Sequence, residues 1–108
     1  MEPTYLGKLT APSANTPVQI VSDPTVRACR IVFATIPGLL GNIYVGGAAL
    51  NTTTLAGVLI KFNPPSAQGP IDSFAVEAKG PSNSLVVSDY WLAASVAGEG
   101  ALVTYFQL

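Results

Sequence analysis

Apolar residues in this chain fall in short stretches that alternate in period two, and glycine or proline, 10 and 9 of the 108 residues, cut off nearly every stretch. A globular helix needs apolar positions three and four apart over ten residues or more, and no segment between these breaks supplies that pattern. Short alternating runs with turn residues between them specify β-strands instead. The expected fold class is therefore all-β, a single β-sandwich or barrel-like domain of about seven to eight strands, with the sandwich preferred.

The chain divides at residue 16. Residues 1–16 carry Pro3, Gly7, Pro12 and Pro17 just beyond, among small polar residues, and read as an extended N-terminal arm. Three forms suit it: a frayed terminus, an edge strand through Tyr5 and Leu9, or a strap that orders on a neighbouring subunit. Residues 17–108 form the sandwich domain. Its first strand is Val18–Val21, ended by Ser22-Asp23-Pro24.

Val26 to Ile36 is the longest β-suited run. Strict alternation puts Arg27 and Arg30 on opposite faces, and from Ile31 onward both faces are apolar, as expected of a strand covered on both sides. Phe33 therefore meets the domain core, a second layer of the same fold or a partner subunit. Pro37-Gly38 breaks the run. In Gly41-Asn42-Ile43-Tyr44-Val45-Gly46-Gly47, Ile43 and Val45 face inward and Tyr44 lies on the other face or at the sheet edge. Gly46-Gly47 marks a turn or bulge, followed by a loop of small residues to Thr54.

Leu55 to Phe62 reads as the next strand, with Val58, Ile60 and Phe62 inward, and Asn63-Pro64-Pro65-Ser66 ends it. Past Gly69-Pro70, Ser73 to Lys79 alternates most cleanly, with Phe74, Val76 and Ala78 inward. Gly80 to Ser84 is a turn. Leu85 to Val87 and Tyr90 to Val96 form two strands or one strand broken near Ser88-Asp89, and Gly98-Glu99-Gly100 closes a hairpin into Ala101 to Phe106.

Charge narrows the function. Charged residues are 10% of the chain against 49% hydrophobic, where about 25% charged is usual, so a surface of Thr, Ser, Asn, Gly and Pro points to coverage by other protein. Lys8, Arg27, Arg30, Lys61 and Lys79 are scattered, with a formal net charge of −1, which disfavours nucleic acid and anionic membrane as partners. The most apolar run, Ile36 to Leu50, is too interrupted to span a bilayer. The start Met1-Glu2-Pro3-Thr4-Tyr5 lacks the basic and apolar regions of a secretory signal, so synthesis in a cytosol is expected and Asn51-Thr52-Thr53, a formal glycosylation sequon, goes unused.

No catalytic, metal or cofactor site is expected. Histidine is absent, Cys29 stands alone, and no carboxylates lie near one another in sequence except Asp72 and Glu77. The chain is read as a non-enzyme. The residues with the chemistry for contact are aromatic and aliphatic: Tyr5, Leu9, Phe33, Tyr44, Trp91 and Tyr105. In the adjacent pairs Tyr90-Trp91 and Tyr105-Phe106 one ring of each faces the core and the outward one is available to a partner.

Asn42-Ile43-Tyr44-Val45-Gly46-Gly47, then Asp89-Tyr90-Trp91-Leu92, then Gly98-Glu99-Gly100-Ala101-Leu102-Val103-Thr104-Tyr105 together resemble small virion proteins of tailed bacteriophages. Asn63-Pro64-Pro65 departs from the Pro-Gly turn commoner there. The resemblance spans about residues 42–106. It implies a jelly-roll form of the sandwich and a capsid cement or decoration subunit in the virion, made in the bacterial cytoplasm. It also implies the major capsid protein and further copies of the chain, as a homotrimer or homodimer, as partners. A tail-associated receptor- or glycan-binding module, with Trp91 as the stacking ring, is the alternative.

Overall fold

A computed structural model describes residues 3–36, 40–62, 73–78 and 84–107. The breaks expected at Pro37-Gly38, Asn63 to Ser66, Gly69-Pro70 and Gly80 to Asn83, and the residues Asp72 and Lys79, lie outside them.

Among the described residues nine strands form: β1 (Pro3–Thr10), β2 (Val18–Gln19), β3 (Arg27–Thr35), β4 (Ile43–Gly46), β5 (Val58–Phe62), β6 (Ser73–Glu77), β7 (Leu85–Val86), β8 (Trp91–Ala94) and β9 (Gly100–Gln107). One sheet runs β1-β9-β3-β6, with β7 added against β3, and the other runs β2-β8-β4-β5. All pairings are antiparallel.

Early strands pair with late strands in reverse order: β1 with β9, β2 with β8, β3 with β6, β4 with β5. The chain is thus one long two-stranded ribbon whose successive pairs fall alternately in the two sheets, which is the topology of a jelly roll. The crossovers are joined as well. Ala11 N–H donates to the Glu99 carbonyl at 2.9 Å and Gly98 N–H donates to the Ala11 carbonyl at 2.8 Å, while Ile20 N–H reaches the Tyr90 carbonyl at 3.1 Å.

Burial of alternate residues holds the sheets together. Ile31 and Phe33 from β3, Ile43 and Val45 from β4, Leu92 from β8 and Val103 from β9 are fully or almost fully buried in one cluster. Each such side chain contributes about 1.5–3 kcal/mol. The inward assignment holds for Ile60 and Phe62, which pack in the main core, whereas Val58, also expected inward, packs with Tyr44 and Leu50 on the opposite face because a bulge between Val45 and Gly46 shifts the register past Leu59.

Local geometry departs from simple alternation in several places. Residues 3–10 of the expected arm are an edge strand through Tyr5 and Leu9, one of the three forms expected of it. A bulge between Ala28 and Arg30 absorbs Cys29 and leaves both Arg27 and Arg30 exposed, where strict alternation set them on opposite faces. The fifth strand starts at Val58 rather than Leu55, because Leu55 (φ 63°) and Gly57 (φ 73°) are in the left-handed region that a strand cannot use.

Val18–Val21 shortens to Val18–Gln19, and Tyr90–Val96 to Trp91–Ala94. The break at Ser88-Asp89 is a 3-10 turn, Val87–Asp89, across which the chain passes from one sheet to the other. Gly98-Glu99-Gly100 is likewise no hairpin. It carries the chain from β8 in one sheet to β9 in the other, turning at Gly98 (φ 83°).

Candidate functional site

Side chains that alternate inward along a strand leave their neighbours on the opposite face, and the register across β1, β9, β3 and β6 fixes what the outer face presents. One end holds Pro3, Phe106, Arg30 and Glu77 side by side. The middle row is Tyr5, Thr104, Val32 and Ala75, and the far row is Lys8, Leu102, Ala34 and Ser73. Tyr5 is 75% exposed and Leu102 41%. The face is thus apolar or small through its centre, with its charges at the margins.

Arg30 Nε lies 3.2 Å from Glu77 Oε1, and the guanidinium sits 5.9 Å from the centroid of the Phe106 ring. Both side chains of the ion pair are well exposed, at 47% and 65%, so the pair adds little stability and chiefly orients the groups.

The other sheet hides its outer face. Tyr44, Ala93 and Leu50 are buried together there, with Val58 and Trp91 packed against them. Leu50 belongs to the 47–57 loop, which folds back across the sheet. Asn51 shapes that loop: its Oδ1 accepts the N–H of Thr53 at 2.8 Å and of Thr54 at 3.0 Å, and its carbonyl accepts Leu55 N–H at 2.8 Å. Lys61 Nζ stands 6.0 Å from the Tyr44 ring centroid.

At one end of the sandwich, the Glu99 carboxylate accepts Leu40 N–H at 2.7 Å and Gly41 N–H at 2.8 Å. Ser95 Oγ accepts Asn42 N–H at 2.8 Å, and Ser95 N–H donates to the Asn42 carbonyl at 3.0 Å. Residues 40–42 are thereby docked on residues 95–99. A Cβ at Gly41 would run into the side chains of Ser95 and Val96, so that first glycine of the motif serves close approach.

The expected contact residues separate into different places. Tyr5 is exposed on the outer face. Leu9 is half-buried and packs against the main core. Phe33, at 0% exposure, and Tyr105, at 6%, are core residues; Tyr44, at 6%, lies beneath its own loop. Trp91 is half-buried beside it. Of Tyr105-Phe106 the outward ring is Phe106, since Tyr105 pairs with inward Ile31 while Phe106 pairs with exposed Arg30.

Sequence reasoning missed Leu102, Val32 and Phe106 as one surface. The signal was present in the alternation around buried Val103, whose neighbours must point away, but which strands lie side by side is not written locally. Exposed Leu40, Leu55 and Leu59 also escaped notice.

Among the described residues no cleft opens and no three His, Cys, Asp or Glu side chains gather to hold a metal, and no helix is long and apolar enough to cross a membrane. Cys29 is half-buried, its Sγ 3.5 Å from the Phe106 carbonyl. Compared with protein-family models, curated proteins and solved structures, the chain matches none.

Proposed function

We propose that this chain is a non-enzymatic structural subunit of a tailed-phage virion, of the capsid cement or decoration type, which stabilises the shell by bridging capsid subunits. The observation that carries the reading is the outer face of the β1-β9-β3-β6 sheet of a jelly roll, where exposed Tyr5 and Leu102 and half-buried Val32 and Phe106 surround Thr104. Contiguous exposed apolar surface marks a place of contact, and jelly rolls are widely used for viral capsid domains. The resemblance of residues 42–106 to small virion proteins supports the same reading, as does the scarcity of charge. In a repeating lattice each subunit is engaged by several neighbours, so modest contacts suffice.

The glycan-binding alternative rests on Trp91, and that ring packs with Tyr44, Leu50 and Ala93 of its own chain. No observation favours it.

The reading is tested by mixing the purified protein with expanded shells of the capsid protein encoded beside it. Co-sedimentation and a raised shell-disruption temperature are expected. Protein that stays in the supernatant at saturating concentration overturns the reading.

A further inference from the structure

We propose that the outer face of the β1-β9-β3-β6 sheet binds a second copy of this chain, face to face, about a two-fold axis that crosses the two sheets nearly at right angles. The inference rests on the reading of this face as an assembly surface and names its occupant.

The argument is one of charge and shape. Neighbouring strands lie ~4.8 Å apart, so β1 and β6 are separated by ~14 Å; from Leu102 to Phe106 along β9 is four residues at ~3.4 Å, again ~14 Å. The patch is close to square. Lys8 and Glu77 occupy diagonally opposite corners, with Pro3 and Ser73 at the other two.

An isologous pair must superpose the face on itself by a two-fold axis lying in its plane. An axis along the strands sets Lys8 against Ser73, and one across them sets Lys8 against Pro3. An axis through the Lys8 and Glu77 corners brings like charges together. The axis through Pro3 and Ser73 alone exchanges Lys8 with Glu77, giving two opposite-charge contacts related by symmetry. It also lays Leu102 on Ala75 and Tyr5 beside the Phe106–Arg30 pair, large against small and ring beside cation. Sheets crossed in this way are an established packing mode.

Glu77 can serve both contacts, since its side chain remains 65% exposed while bridging Arg30. With side-chain reach the patch covers roughly 400 Å² on each copy, about half of the ~800 Å² per partner in a standard interface, so the pair is a weak one that tightens only within a larger assembly.

The test is sedimentation of the full chain across micromolar concentrations, without shells. The wild type is expected to dimerise, less so at high salt. Lys8→Glu and Glu77→Lys are each expected to be folded monomers. Mixed in equal amounts they are expected to pair about tenfold more tightly than either does alone, because one contact then joins the two reversed positions and the other is the native Lys8–Glu77 pair.

Leu102→Glu, at an outward position, should also abolish the dimer and leaves the Arg30–Glu77 pair untouched. A wild type that stays monomeric, or a mixture no tighter than its components, overturns the inference. A monomer that still binds shells overturns this inference alone; a dimer that ignores shells overturns the decoration reading alone.

Discussion

Glu99 and Gly41 are 58 positions apart in sequence, and the carboxylate of the first accepts the backbone N–H of the second at 2.8 Å. The same carboxylate takes Leu40 N–H at 2.7 Å, so one side chain satisfies two backbone donors in the crossover between the sheets. Charge-assisted bonds of this kind are the stronger class, though Glu99 is only half-buried. Glu99→Ala is expected to destabilise the fold by about 1–2 kcal/mol and Glu99→Gln, which keeps one acceptor, by less. Urea unfolding with an unchanged m-value is the measurement.

Gly46 and Gly47 look equivalent in sequence and are not. A Cβ on Gly46 falls on the Gly57 carbonyl oxygen, whereas one on Gly47 meets nothing within 4 Å. Gly46→Ala is expected to cost about 1–3 kcal/mol, the range for overpacking, and Gly47→Ala to be close to neutral. Equal melting temperatures for the two variants would refute the close approach.

Trp91, the one tryptophan, packs in the cluster that Leu50 of the 47–57 loop covers. Leu50→Ala is expected to cost about 2 kcal/mol, at the low end for such truncations because the loop can settle into the space. Asn51→Ala removes the acceptor for Thr53 and Thr54 N–H and is expected to cost about 1 kcal/mol. Both should shift Trp91 emission to the red before global unfolding; unchanged emission would mean the loop does not shield the ring.

Burial, and secondly the charge of Asp89, raises the Tyr90 phenol above its usual 10.0. A group whose folded pKa is raised contributes stability below its unfolded pKa and loses it as pH rises through the folded value. Tyr90 therefore stabilises the fold up to about pH 10 and loses that contribution above it, an alkaline loss that Tyr90→Phe should remove. Ultraviolet titration of phenolate absorbance checks it. Asp23 is shifted oppositely: hydrogen bonds from the Thr25 hydroxyl and then its N–H lower it from 3.8, so its contribution is present above that value and lost as pH falls through the folded one.

The strands were legible because their residues alternate. Phe74 and Val76, or Ile60 and Phe62, announce their inward face in a window of five residues, while Val58 is turned outward by the bulge that its local alternation does not show. The departures come from features without a local signal. The bulge at Cys29 is a pairing property of β3 with β9, and the left-handed Leu55 is imposed by a loop that Asn51 organises.

Gly98-Glu99-Gly100 has the composition of a hairpin and becomes a crossover because Glu99 and Gly98 are bound by residues 11, 40 and 41. The contact surface was the least legible part. Its four strands come from the start, middle and end of the chain, so Tyr5 was identified without the neighbours that complete its row.

The ribbon pairing of early with late strands sets an order of events. Pro3 lies opposite Phe106, and β9 sits between β1 and β3 as the shared neighbour of both. Until β9 is made, β1 has no strand to pair with and β3 lacks its neighbour on that side. During synthesis the first strand is therefore among the last to be secured, and closing so long a loop makes folding slow compared with that of a domain built from local contacts.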